Sequence, residues 1–62
     1  MNDIYSAFKD KYPDYTIEIF PPCISENREE QYKIEVMQVA LGLHENNRVY
    51  VNHETKKFFF ER

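Results

Sequence analysis

Cys23, His44 and His53 are the soft metal ligands of this sequence, and they stand far apart along the chain. Zinc sites ask for paired Cys or His residues roughly two to five apart. The spacing predicts turn and strand-end histidines and a small, inert thiol. A nucleophile would have to be Ser6, Ser25 or Cys23, set beside a histidine, an orienting acid and an oxyanion donor. No nucleophile elbow or glycine-rich turn offers that frame, and the one glycine, Gly42, lies inside an apolar run where it cannot open a phosphate cradle. The acidic stretch Glu26-Asn27-Arg28-Glu29-Glu30 reads as a solvated loop. The expectation is a protein that is not an enzyme, with no catalytic residue, metal or cofactor.

The chemistry left over is aromatic. Five Tyr and five Phe make up 16% of 62 residues, and three of them are consecutive, Phe58-Phe59-Phe60. In a strand, alternate side chains face opposite ways. Phe58 and Phe60 then fill a core, and Phe59 points outward with Tyr50, joined by Phe20. Outward aromatics are anchor types enriched at interfaces. Arg48 and Lys57 flank them. The terminal strand is expected to be a sheet edge, open to pairing and guarded by Lys56-Lys57 and Glu61-Arg62.

These features point to a small non-enzymatic protein–protein interaction module, a regulator or inhibitor of a larger intracellular partner. It would dock through Tyr50, Phe59, Phe20, Arg48 and Lys57 and through the edge strand, and it would self-associate as a homodimer. The alternative is a single-stranded nucleic-acid binder that stacks bases on the sheet aromatics while Arg48, Lys56, Lys57 and Lys33 meet phosphates. Net charge argues for the first. Lys and Arg total 8 against 11 Asp and Glu, giving −3. Residues 1–31 carry three cations against seven carboxylates, and residues 32–62 carry five against four. Non-specific nucleic-acid binding needs a denser basic face.

The elements that must hold this face follow from length and pattern. Sixty-two residues make one small domain, 1–62, and 42% hydrophobic content is too much for a disordered tail. No apolar run is long enough to cross a membrane, and the start, Met1-Asn2-Asp3-Ile4, lacks the basic and apolar stretches of a signal peptide. With one cysteine and no internal disulfide to form, the expected setting is the cytoplasm.

Residues 2–11 predict a helix capped by Asn2 or Asp3, with Ile4, Tyr5 and Phe8 on its apolar side and Pro13 as its stop. Residues 15–20 alternate as a strand, with Tyr15, Ile17 and Ile19 opposite Thr16, Glu18 and Phe20, and Pro21-Pro22 ends it. Residues 48–52 and 57–61 predict a hairpin pairing Asn52 with Lys57, Val51 with Phe58, Tyr50 with Phe59 and Val49 with Phe60. Between them, Tyr32–Val36 and Met37–Leu43 read as two alternations joined by a bulge. A loop at Glu45-Asn46-Asn47, with Asn47 left-handed, would then pair Leu43 with Val49 and Leu41 with Val51. The fold class is α+β, an N-terminal helix on a small antiparallel meander of four strands. The alternative order is α-β-α-β-β, with residues 28–44 helical.

The segment Arg48-Val49-Tyr50-Val51-Asn52-His53-Glu54-Thr55, with Phe60 seven residues after the histidine, resembles the second hairpin of a WW domain. The likeness is one of turn chemistry. It implies a proline-peptide groove between the positions held here by Val49 and Phe60.

Overall fold

A computed structural model describes residues 3–62. The chain forms helix α1 (Ile4–Lys11), strand β1 (Thr16–Phe20), helix α2 (Glu26–Ala40), strand β2 (Val49–Asn52) and strand β3 (Lys57–Glu61). The three strands make one mixed sheet in the order β1-β3-β2, with β1 parallel and β2 antiparallel to β3. The α+β class and the α-β-α-β-β order therefore hold, and the four-stranded antiparallel meander does not.

α1 begins where Asp3 accepts hydrogen bonds from the Ser6 backbone N–H at 3.1 Å and the Ser6 hydroxyl at 2.9 Å. These bonds, the backbone one foremost, hold the Asp3 carboxyl below the usual carboxylate range. The Asn2 alternative for this cap lies outside the described residues. The helix closes with the Tyr12 N–H on the Phe8 carbonyl, and Tyr12 leaves helical geometry because Pro13 follows it.

Residues 31–44 correct the strand expectation. Ser25 caps α2 by accepting the Arg28 N–H, and Glu26 and Glu29 sit in the first turn, where carboxylates favour the positive end of the helix dipole. At the other end Gly42 has φ +77°. The Leu43 N–H bonds the Gln38 carbonyl at 2.9 Å, and the Gly42 N–H bonds the Val39 carbonyl at 3.1 Å. These are the two bonds of a Schellman cap, so Gly42 terminates a helix and does not interrupt a strand. The wide apolar arc that favoured a sheet has a packing cause. α2 touches α1, β1 and β3 together, burying Val36 and Met37, while Tyr32 packs edge-on to Phe60 with ring centres 4.9 Å apart. Leu43 stays exposed.

The pairs Leu43–Val49 and Leu41–Val51 do not form, and Asn47 is not left-handed. The loop into β2 is instead tied by Asn46, whose side chain accepts the Arg48 N–H at 2.9 Å and donates to Glu35 of α2 at 3.1 Å. The β2–β3 hairpin has the predicted register at all four pairs. Asn52 shapes its turn by accepting the Glu54 and Thr55 N–H groups, and Lys56 takes the left-handed conformation, φ 57°.

β3 corrects the edge expectation, for it is the central strand. The stretch from residue 21 to 56 is long enough to carry the chain back parallel to β1, which no hairpin can do. On the helix side of the sheet, Phe8, Ile19, Val36, Met37, Phe58 and Phe60 form the buried core. Phe58 sits among Phe8, Tyr12 and Tyr15 with ring centres 5.2–5.5 Å away. Among the described residues no helix is long and apolar enough to cross a membrane.

Candidate interaction surface

The register places every outward residue of the sheet. Thr16, Lys57 and Asn52 form one row across β1, β3 and β2, and Glu18, Phe59 and Tyr50 form the next. Phe20 and Glu61 form the third, with Arg48 opposite Glu61, where its carbonyl accepts the Glu61 N–H at 2.9 Å. Both helices pack on the reverse side through Phe8, Val36 and Met37, so this face carries no helix layer. Phe20 is 63% exposed and Tyr50 51% exposed, and Phe59 between them is half-buried.

The three rings line one open cavity of about 300 Å³ together with Glu18, Glu61 and Phe60. The Tyr50 hydroxyl donates to Glu61 Oε1 at 3.1 Å. That bond, and next the charge of Glu61, push the Tyr50 phenol above its ordinary pKa. Lys57 Nζ lies 3.3 Å from Glu18 Oε1 and 5.9 Å from the centre of the Phe59 ring. The arrangement offers apolar ring surface and carboxylate acceptors in one place.

Of the residues singled out in the sequence, Phe20, Tyr50 and Phe59 line this cavity, while Lys57 meets Glu18 and Phe59 and the Arg48 backbone pairs with Glu61. Lys56 is turned away, its Nζ 3.5 Å from Asp14 Oδ2, and Lys33 lies on α2 beside Tyr5 and Met37, behind the sheet. The phosphate-binding set of the nucleic-acid alternative is thereby split between two sides of the molecule. The WW-type groove does not form either. Phe60 is 5% exposed in the core, Val49 packs against that core, and both face the helices.

His44 Nε2 meets Glu35 Oε2 at 2.7 Å, and His53 Nδ1 meets the Tyr15 hydroxyl at 2.7 Å, so the two histidines serve separate local contacts. Ser6 and Ser25 serve helix caps, and Cys23 is a half-buried free thiol. Glu18 and Glu61 are the site residues that sequence reasoning missed. Their two-residue spacing from Phe20 and Phe59 was visible, and the hairpin sets Glu61 beside Tyr50, but only the parallel β1–β3 pairing brings Glu18 to the same cavity. Comparison with known proteins finds no family model that matches the chain and no significant match among curated proteins or solved structures, so geometry alone carries the reading.

Proposed function

We propose that this protein is a small non-enzymatic interaction module that regulates or inhibits a larger intracellular protein by docking the outer face of its sheet against it. The observation that carries the reading is the cluster of Phe20, Tyr50 and Phe59 on a sheet side without helices. Rings left at a solvent face cost hydration free energy that a partner recovers on binding.

Strand pairing belongs to the two edge strands, β1 and β2. Arg48, Tyr50 and Asn52 bond β3, so the peptide groups of Val51 point to the outer edge of the sheet. Self-association through the same face is part of the proposal. The single-stranded nucleic-acid reading has less support, since Glu18 and Glu61 stand among the rings and would repel phosphates.

The test is the double change Tyr50→Ala with Phe59→Ala in the full chain. Sedimentation and partner capture are compared with the parent, and circular dichroism checks the fold. Loss of association with an unchanged spectrum supports the proposal. Unfolding would mean that these rings belong to the core, and unaltered association would move the docking surface elsewhere. Oligonucleotide binding that weakens steeply with salt would favour the alternative.

A further inference from the structure

The outer face is small for a docking surface. Three strands ~4.8 Å apart and five residues at ~3.3 Å rise make a patch of roughly 14 Å by 17 Å. Stable complexes bury about 800 Å² on each partner. A face this size needs one well-matched anchor at its centre.

The cavity between the rings states what that anchor is. The cavity is lined by Phe20, Phe59 and Tyr50 together with Glu18, Glu61 and Phe60. Ring faces attract cations through their quadrupole, and carboxylates add charge and hydrogen-bond acceptors. One oxygen of Glu61 accepts from Tyr50, and one oxygen of Glu18 faces Lys57. The second oxygen of each forms no hydrogen bond or ion pair among the described residues. Lys57 sets its ammonium 3.3 Å from Glu18 and 5.9 Å from the centre of the Phe59 ring, so a cation already meets two of the residues that line the cavity. The volume, about 300 Å³, is at the low end for ligand pockets and suits a single side chain.

We infer that the cavity binds an arginine side chain presented by a protein partner, its guanidinium stacked on the rings and bonded to Glu61 and Glu18. Arginine is favoured over lysine because its planar fork both stacks and pairs with carboxylates. This inference rests on the docking reading above and names the chemistry of its partner. Lys57 is then a built-in competitor that an incoming guanidinium displaces from Glu18.

The probe is a capped peptide with one arginine among glycines, titrated into the full 62-residue chain and followed by aromatic and amide NMR shifts. The same peptide with citrulline or lysine in place of arginine serves as the comparison. The arginine peptide is expected to shift Phe20, Tyr50 and Phe59, and to bind about tenfold more tightly than the citrulline peptide. Glu61→Gln and Phe20→Ala should each weaken it by roughly threefold or more, and both positions are exposed, so the fold survives. Lys57→Gln should tighten it, the opposite of what simple loss of a contact residue would do.

Equal shifts from the citrulline peptide would overturn the arginine assignment and leave the docking face standing. Equal binding of the lysine peptide, with shifts spread along Glu26–Glu30, would reduce the effect to net charge and overturn it as well. Shifts that avoid all three rings would also sink it. Failure of the docking reading itself shows separately, as association unaltered in the double ring variant.

Discussion

Phe58 and Phe59 are neighbours in sequence and sit in opposite settings. Phe58 is 3% exposed, ringed by Phe8, Tyr12 and Tyr15 beneath the helices. Phe59 is half-buried on the other side, flanked by Tyr50 and Glu18 in its row and by Lys57 along its own strand. One peptide unit of strand geometry separates a residue that holds the molecule together from one free to meet another molecule. The difference teaches that aromatic content in a small chain does not all serve stability. Here the helices cover one face only, and the rings opposite have no helix packed on them.

The largest test of this contrast is Phe58→Ala. Losing a buried Phe costs roughly 3–5 kcal/mol. A chain of 62 residues has a total stability of roughly 3–9 kcal/mol, at about 0.05–0.15 per residue. Phe58→Ala should therefore abolish the cooperative urea transition or move its midpoint close to zero denaturant. A small shift would mean that the inner cluster is not the core.

Gly42→Ala comes next and probes the helix that covers the inner face. Nothing lies within 4 Å of the added Cβ, so the cost is conformational alone. A left-handed residue other than glycine costs roughly 1–2 kcal/mol. The urea midpoint should fall accordingly, without change in binding at the outer face.

That glycine also shows where sequence reading stopped. The hairpin was legible because its period-2 pattern and its turn agree at every pair from Val49–Phe60 to Asn52–Lys57. The alternation of Thr16, Glu18 and Phe20 against Ile17 and Ile19 was legible for the same reason, and so the ring cluster could be anticipated. Residues 31–44 were misread because α2 is packed on two sides, which spreads apolar residues around a helix until they imitate alternation. Ser25 before Glu26 and Gly42 after Leu41 were cap signals that outweighed that pattern. The parallel β1–β3 pairing was not legible, because no local turn chemistry encodes a contact across so long a connection. Its absence from the reading made β3 an edge and hid Glu18 from the site, whereas Glu61 already followed from the hairpin register.

On the outer face the expected stability effects are smaller. Phe20→Ala removes a ring that is 63% exposed and should move the midpoint by no more than about 0.5 kcal/mol, within the range of surface changes. The same variant should lose binding at the ring cavity. A large destabilisation would erase the distinction between the two faces, since it would place Phe20 in the core.

The smallest effect is electrostatic and belongs to Tyr50. Its phenol donates to Glu61, and that bond, followed by the carboxylate's charge, raises its pKa above the ordinary value near 10.0. A raised folded pKa means that the native state holds the proton where the unfolded chain has released it. The bond's contribution is therefore fully present below the ordinary tyrosine pKa and is lost as pH rises through the folded one. NMR titration of the Tyr50 ring should show its phenol ionising above the ordinary tyrosine value, and Glu61→Gln should bring it back toward that value. If Glu61→Gln leaves the titration unmoved, the Tyr50–Glu61 bond does not persist in solution, and the rim of the ring cavity is looser than its geometry implies.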